Sequence, residues 1–534
     1  MTISTSNHGM AGYADHTEQL AHMEPLAVGD QRLERKIGWV MGAMMNVSYI
    51  IGAGIFVGPA LTLQLVGSGG MNIMIWIMGA LIASCGTWAF AELGTMLPRS
   101  GGELGYLEYC YRKPKYLLAY IFTMWTLMNR SSGVAAQGIV FGGYMNYAIY
   151  GASFKSNWLE RSWAILLATI LTAVNIMSTK VSLKLMAGLT AIKMAVLSLV
   201  ALIGLLVLVK AIPSDVDAGY NLSFQGTATN IGPYASALYY VMNSYSGWHN
   251  LNFIMDEVKD PIRNLPKASA AAISTIALLY VLTNVGYLVV LPLETMKSSE
   301  FIVAAEFFTR SLGENFASTV LPVFIALSAF GCAAAINFSA GRVLMESARS
   351  GLLPFGRTFG HLNPQIGSPV NAYLLQYTLT ILFTVAPPPG AVYQFIVAFA
   401  AYPVYVFYTL IALAVLILRK REPFVTRPVV APLFCVLVFL SFTVYALIFV
   451  FIPVENPYYP YWVPYVSAIA AMLLCVVAWY FQIVVKDTPG KSYNETIRAR
   501  GYMALEQEVF SAYTALPSEE SPIMVYDQSL SRSA

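Results

Sequence analysis

Long apolar runs alternate with short polar segments along most of this chain. Twelve runs approach the length of about 20 residues that an α-helix needs to cross a bilayer. They lie at 38–66, 70–97, 116–150, 162–178, 185–209, 231–256, 268–292, 316–341, 369–386, 390–418, 429–453 and 462–485. The pattern predicts an all-α membrane protein whose twelve transmembrane helices occupy residues 37–485. The polar flanks, 1–36 and 486–534, are predicted to be disordered tails in the cytoplasm.

The amino-acid composition is typical of a membrane protein and not of a soluble domain. Of the 534 residues, 57% are hydrophobic and 11% are charged, whereas soluble domains carry about 25% charged residues. The net charge of +3 comes without a basic patch, so nucleic acid is not an expected partner. The five cysteines form no paired motif, and enzyme signatures are absent. We therefore expect a protein of the lipid bilayer that is not an enzyme and has no cofactor and no metal site.

The positive charges predict the orientation of the helices. If the N-terminus lies inside and the spans alternate, 19 lysines and arginines fall in or near inner loops and 5 in outer loops. Such a bias is typical of cytoplasmic loops, and it favours both termini in the cytoplasm. The plasma membrane is the expected location, and a vacuolar membrane stays open.

The first span contains helix-breaking residues near its middle, at a membrane depth where unpaired backbone groups are costly. Residues 49–59 read YIIGAGIFVGP. Non-helical backbone at membrane depth persists only where it is buried in protein or lines a polar cavity. Two half-helices that meet there expose N–H groups suited to a carboxylate and C=O groups suited to an ammonium. The alternative is a close helix contact through Gly-x-x-x-Gly.

The sixth span carries a second interruption. Residues 241–250 read VMNSYSGWHN, with polar residues and a glycine inside an apolar run. Interrupted spans five apart are typical of inverted repeats that share a central substrate site. The pair of breaks therefore favours a cavity over a simple helix contact.

Several motifs, taken in order, resemble one family. They are IIGAGIFVGP in the first span, AELGTMLPRSGGELGYL (91–107), NRSSG (129–133), AIK (191–193), GWHNLNFIMDEVKDPIRNLPKA (247–268) and AFGCAAAINFSAGRVLMESARSGLLP (329–354). The chain resembles the L-type amino acid transporters of the amino acid–polyamine–organocation superfamily, and most closely the fungal methionine-permease type. The resemblance implies a five-plus-five inverted repeat with broken helices 1 and 6, plus two extra helices.

The resemblance also implies a substrate site made mostly of backbone. The carboxylate of an amino acid would meet the N–H groups of Ala53 and Gly54. Its ammonium would meet the carbonyl of Ile50 and carbonyls near Asn243 and Ser246. Small residues are needed there because a larger side chain would block the approach.

The sixth span departs from the family at one position. Asn243 stands where the family usually has a large aromatic residue that covers the substrate. The gate is then expected at Tyr245 or Trp248, or Asn243 itself binds the substrate. Gly247 belongs to the same substrate-binding stretch.

Three basic residues lie within predicted spans. Lys193 either snorkels to the cytoplasm or serves transport. In sodium-independent relatives the matching lysine fills a sodium site between spans 1 and 8. The resemblance therefore implies that Lys193 replaces that ion and that its ammonium bridges the carbonyls of span 1 near the break. Lys193 is also a candidate for the coupling proton. Arg130 is equally consistent with a structural role and a place on the substrate path. His249 is expected to line the path, with a proton relay as the alternative.

Asp256 and Glu257 end the sixth span close to Lys259 and Arg263. We expect them to form a solvated, salt-bridged inner gate. No acidic residue is evident near the centre of a span, which favours a substrate with a neutral side chain.

These observations predict a secondary active transporter that moves neutral L-amino acids by alternating access with proton-coupled uptake. The resemblance to fungal methionine permeases makes methionine the first candidate. An amino acid exchanger and a non-transporting receptor on the same fold are the alternatives. The loop GASFKSNWLER (151–161) lacks the cysteine that links animal relatives to a partner chain. We therefore expect no disulfide-linked heavy chain.

Overall fold

The computed structural model describes residues 33–52, 54–151, 156–230, 232–298, 303–313, 318, 320–363, 365–386, 392–423, 425, 427–449, 451, 460 and 462–485. Residues 1–32 and 486–534, which hold most of both predicted tails, lie outside these ranges. In the described part the chain is nearly all helical, and its β-type pairing is limited to two isolated bridges. The predicted all-α fold class is confirmed.

The helices follow one another through short connections. In chain order they are α1 (Trp39–Ile50), α2 (Gly54–Val66), α3 (Gly69–Met96), α4 (Glu103–Cys110), α5 (Leu117–Tyr150), α6 (Asn157–Met177), α7 (Thr179–Leu208), α8 (Ala218–Asn221), α9 (Gly232–Ser244), α10 (Pro261–Val290), α11 (Leu293–Ser298), α12 (Val303–Leu312), α13 (Leu321–Arg349), α14 (Gly356–Phe359), α15 (Val370–Val385), α16 (Val392–Arg421), α17 (Leu433–Phe449) and α18 (Val463–Trp479). A 3₁₀ helix, Asn250–Glu257, follows α9, and a wider helical turn, Tyr480–Val485, continues α18.

Membrane-spanning length and apolar composition occur together in seven described segments: α3, α6, α7, α10, α13, Tyr402–Arg421 of α16 and Val463–Val485. The bent pair α1 and α2 adds an eighth, and α15 and α17 are shorter apolar helices. Every predicted span contains a described helix. The chain is therefore a multi-span membrane protein, while the number twelve stays a prediction.

Helix α13 lies at the centre of the bundle and α18 at its edge. In α13, 78% of the most apolar window is buried, against 11% in the last helix. Helix α1 packs against α7, α10 and α13, while α9 packs against α2 and α3. This arrangement brings the two interrupted helices together inside the bundle.

Small residues allow some of these helices to approach closely. A Cβ added at Gly204 of α7 would lie 2.3 Å from the Cα of Gly286 in α10. One added at Gly142 of α5 would lie 2.4 Å from the carbonyl oxygen of Glu160 in α6. Helices in lipid associate through such close contacts, because lipid tails leave no hydrophobic force between them.

Candidate binding site at two helix breaks

The first break lies between α1 and α2, which are bent by 49° from each other. Ile51 N–H still donates to Val47 O at 2.9 Å, and Gly52 N–H donates to Ile50 O at 2.9 Å. Ala53, a predicted carboxylate-binding residue, lies outside the described residues. Because the helix stops here, the carbonyls of its last turn need other donors.

Lys193 of α7 supplies two of those hydrogen bonds. Its Nζ donates to Ser48 O at 2.8 Å and to Ile51 O at 2.5 Å. The side chain is 2% exposed, and among the described residues no carboxylate pairs with it. A buried ammonium is thus balanced by backbone carbonyls, which is the contact that the sequence analysis expected at this break. Snorkelling to the surface is excluded in this structure.

Hydroxyl groups from two further helices cover the neighbouring carbonyls. Tyr280 of α10 donates to Ile50 O at 3.1 Å and also lies 3.3 Å from Ser244 O, so it bridges both breaks. Ser328 of α13 donates to Gly52 O at 3.3 Å. Sequence reasoning missed Tyr280, although a tyrosine inside an apolar helix needs a partner for its hydroxyl.

The second break separates α9 from the 3₁₀ helix. Ser246 N–H donates to Asn243 O at 3.2 Å, and Asn250 N–H donates to Gly247 O at 3.0 Å. Gly247 has φ +110°, and a Cβ there would lie 2.1 Å from the Tyr49 ring. Only glycine fits this position, because both the backbone conformation and the space exclude a side chain.

Direct contacts join the two breaks. A Cβ on Gly54 would lie 2.8 Å from Ser244 Oγ. Asn46 of α1 donates to Trp248 O at 3.0 Å and accepts from Leu251 N–H at 2.9 Å. One side-chain amide therefore satisfies a carbonyl and an N–H that the second break leaves free. The sequence analysis did not single out Asn46.

A cavity of about 50 Å³ lies between the two breaks and the helices around them. This volume is far below the roughly 300–1,000 Å³ of typical small-molecule pockets. A bound amino acid therefore requires the walls to move apart. The lining residues are Tyr49, Glu103, Phe122, Trp125, Thr126, Asn129, Arg130, Ser246, His249, Phe253, Val404, Phe407 and Tyr408.

The predicted residues of the sixth span separate into two groups. Ser246 and His249 line the cavity. Asn243 has an exposed side chain. Tyr245 and Trp248 are buried in aromatic clusters and do not line the cavity, although Trp248 packs against its lining residues His249 and Tyr408. The gating roles of Tyr245 and Trp248 stay predictions that would require movement of this segment.

Arg130 ties three parts of the cavity wall together. Its Nη1 donates to Ser339 Oγ at 2.8 Å and lies 3.4 Å from Asn250 Oδ1. The guanidinium lies 4.1 Å from the centre of the Phe253 ring and 5.5 Å from that of Tyr49. Such ring contacts stabilise a desolvated cation. Arg130 thus has structural partners and also faces the cavity.

The expectation of a solvated gate at the end of the sixth span is wrong. Glu257 pairs with Arg342 of α13 at 2.7 Å, and both side chains are buried. The predicted partners, Lys259 and Arg263, are exposed. A buried carboxylate needs a fixed, hydrogen-bonded partner, and the guanidinium of α13 supplies it.

A further salt bridge and further hydrogen bonds link segments at the same end of the bundle. Arg99, after α3, forms a salt bridge with Glu346 of α13. Ser100 N–H donates to Asp256 Oδ1 at 3.3 Å, and Asp256 N–H donates to Ser100 Oγ at 3.0 Å. The segment after α3, the 3₁₀ helix and α13 are therefore linked at the predicted inner end.

Sequence reasoning did not single out Glu103. At the start of α4 its side chain lines the central cavity. Its Oε1 lies 3.3 Å from His249 Nε2. The cavity thus contains one acidic side chain, Glu103, opposite the cationic Arg130.

Comparison with known proteins agrees with this architecture. The family model for amino acid permeases matches residues 37–483. The high-affinity methionine permease of Saccharomyces cerevisiae is 27% identical over 84% of this chain and 77% of its own length. The b(0,+)-type amino acid transporter 1 of Mus musculus is 29% identical over 75% of this chain and 80% of its own length. The cystine/glutamate transporter of Homo sapiens is 29% identical over 83% of this chain and 85% of its own length.

These relatives carry the names of transporters and permeases, and they include the methionine-permease and L-type-like proteins that the motifs predicted. The family match covers the whole helical region, including both breaks and the cavity between them. The chain belongs to the amino acid permease family.

Proposed function

We propose that this chain is a secondary active transporter that takes up neutral L-amino acids by alternating access, driven by protons. The observation that carries the proposal is the contact between two interrupted helices inside a multi-span bundle. Each break leaves peptide groups without helical partners, and these groups suit the two charges of a zwitterion.

The substrate would bind where the two breaks meet. Its carboxylate would accept from the N–H groups of Ala53 and Gly54 at the start of α2. Its ammonium would donate to the Ile50 carbonyl, which now accepts from Tyr280, and to carbonyls of the second break. A carbonyl oxygen has two lone pairs, so it can hold the tyrosine and the ammonium together.

Lys193 would act as a fixed cation in place of a sodium ion. Its two hydrogen bonds to Ser48 and Ile51 hold the end of α1 in the interrupted form. A transporter built in this way would need no sodium gradient. This role is part of the proposal, and it agrees with the burial of Lys193 among carbonyls.

The cavity supports a neutral substrate. Aromatic side chains form much of its wall, beside Glu103 and Arg130. Methionine, with an apolar and polarisable thioether, suits aromatic walls and is the first candidate. We place the protein in the plasma membrane with both termini in the cytoplasm.

Flux in proteoliposomes tests the proposal. Purified protein should move labelled L-methionine across the membrane, and a panel of unlabelled amino acids should rank neutral side chains above charged ones. Vesicles that contain no substrate should accumulate the label, and a proton ionophore should stop this accumulation. An exchanger would instead take up label only into vesicles preloaded with substrate. Binding of the label without flux would support the receptor alternative and overturn the proposal.

A further inference from the structure

Glu103 and His249 form a buried acid–base pair that the proposed binding of the zwitterion does not use. His249 Nε2 lies 3.3 Å from Glu103 Oε1, and the two side chains are 10% and 4% exposed. The other carboxylate oxygen, Oε2, is buried and has no hydrogen-bond partner among the described residues. A buried carboxylate with one oxygen unsatisfied is a costly arrangement, which protonation of that carboxylate relieves.

The backbone around Glu103 fixes this position. Gly101 and Gly102 have φ +105° and +55°, so the chain turns sharply just before α4 begins. Gly101 N–H donates to Phe253 O at 3.2 Å, which joins the turn to the 3₁₀ helix. Tyr106, one turn further along α4, donates to Asn252 Oδ1 at 2.9 Å. Glu103 is therefore held against the segment that follows the second break.

The titratable and charged groups that face the pair come from three other helices. Arg130 of α5 and Tyr49 of α1 line the same cavity. Tyr408 of α16 lies 3.3 Å from His249 Nδ1 through its hydroxyl. Both nitrogens of His249 thus have an oxygen partner, and one proton can reside on either the imidazole or the carboxyl group.

We propose that Glu103 and His249 together bind the proton that drives uptake, with Glu103 as its acceptor. The inference rests on the proposed function and names its coupling site. The proton arrives from water on one side of the membrane, forms an O–H bond on Glu103 or an N–H bond on His249, and returns to water on the other side. No other bond is made or broken, and one positive charge moves with each neutral zwitterion.

Coupling follows from the place of His249 in the second break. Ser246, three residues earlier, lines the cavity and belongs to the stretch proposed to bind the substrate. A substrate that moves this turn changes the distance between Nε2 and Oε1, and so changes the affinity of the pair for a proton. By linkage, the proton changes the affinity for substrate by the same factor. Burial raises the pKa of Glu103 to about 8, while its own helix N–H and Arg130 act in the opposite direction.

Lys193 is a poorer proton carrier than this pair. Its ammonium donates to two backbone carbonyls, and loss of its proton would turn two charge-assisted hydrogen bonds into weaker neutral ones. Loss of a proton from Glu103 disrupts no described hydrogen bond at Oε2. The fixed charge of Lys193 therefore lies at the first break, and the proton carried by Glu103 and His249 lies at the second.

The decisive experiment separates exchange from accumulation in proteoliposomes with labelled L-methionine. Exchange at equal pH on both sides needs no net proton movement, whereas accumulation under an acid-outside gradient does. Glu103→Gln should keep exchange within about threefold of wild type but lose accumulation, which a gradient of one pH unit can drive about tenfold with one proton per substrate. Glu108→Gln, on the same helix but outside the cavity lining, is the matched control and should accumulate normally.

Other outcomes are equally informative. Normal accumulation by Glu103→Gln overturns the inference and leaves the proposed function intact. Loss of both exchange and accumulation, in protein that still elutes as a folded species, also overturns it, because Glu103 would then serve binding itself. Absence of all flux in wild type overturns the proposed function instead. A second readout is proton uptake on addition of L-methionine to purified protein in weak buffer, which Glu103→Gln should abolish and Glu108→Gln should keep.

Discussion

At the first break, carbonyls of α1 accept hydrogen bonds from Lys193, whereas the second break borders a cavity in which one oxygen of Glu103 has no described partner. Both regions interrupt a helix inside the bundle, but only at the first does a cation donate directly to the backbone carbonyls of the break, whereas Arg130 near the second contacts side chains of the cavity wall. The first break is held in one geometry by donors from α7, α10 and α13. At the second, Ser246 and His249 line the cavity, so a ligand or a proton can act directly on this segment. The difference indicates that one half of the site is a fixed framework and the other half is the moving part.

The largest loss of transport is expected when the fixed cation at the first break is removed. Lys193→Met should lower both exchange and accumulation by roughly 100-fold, because two charge-assisted hydrogen bonds worth about 3 kcal/mol in total are lost. Initial rates in proteoliposomes measure the effect. Lys184→Met, on the exposed face of the same helix, should transport normally. Wild-type exchange in Lys193→Met would show that the cation is not needed to hold the first break.

The second largest effect is expected at the turn of the second break. Gly247→Ala forces a Cβ into the Tyr49 ring and an alanine into φ +110°, which should cost about 2 kcal/mol. Thermal unfolding in detergent should show a lower midpoint and uptake should fall. Gly188→Ala in α7, where nothing lies within 4 Å of an added Cβ, is the control. An unchanged midpoint in Gly247→Ala would mean that this turn adopts another conformation.

The comparison also predicts how uptake depends on pH. With a pKa of about 8, Glu103 is protonated below that pH and loses its proton above it. Coupled uptake should therefore be sustained at lower external pH and should fall by up to about tenfold per unit above pH 8. Initial rates between pH 6 and pH 9, at constant membrane potential, give the profile. Glu103→Gln should flatten it, while an unchanged slope in that variant would place the titrating group elsewhere.

The smallest effect concerns the hydroxyl that links the breaks. Tyr280→Phe removes the one hydroxyl donor that lies between Ile50 O and Ser244 O, and it should weaken apparent substrate affinity about fivefold, since a neutral hydrogen bond contributes about 1 kcal/mol. The KM for L-methionine measures it. Tyr287→Phe is the matched control on the same helix, because its hydroxyl has no described partner. Equal KM values in both variants would show that the Tyr280 hydroxyl does not contribute to substrate binding.

Much of the framework could be predicted from residue pattern. Apolar runs of membrane length predicted the helices, because burial in lipid requires continuous apolar side chains and satisfied backbone groups. Glycines and polar residues within two of those runs predicted the breaks. The depth of Lys193 in α7, together with the family resemblance, led to the carbonyls of α1.

The partners within the cavity could not be predicted in the same way. Periodicity reports how buried a residue is but not which helix it faces. Glu103 was not predicted as a cavity residue, because nothing local reveals that the turn at Gly101 and Gly102 directs α4 against the second break. Glu257 was paired with near neighbours in sequence, whereas its partner Arg342 comes from α13. Such contacts arise from the packing of distant helices.

The most direct test of the two-break site is an experimental structure with L-methionine bound in a lipid environment. The account predicts helices interrupted at residues 51–53 and 245–249, with the ammonium of the substrate within hydrogen-bond distance of the Ile50 carbonyl and its carboxylate at the Gly54 N–H. Continuous helices through either region, or a substrate bound away from both, would contradict it.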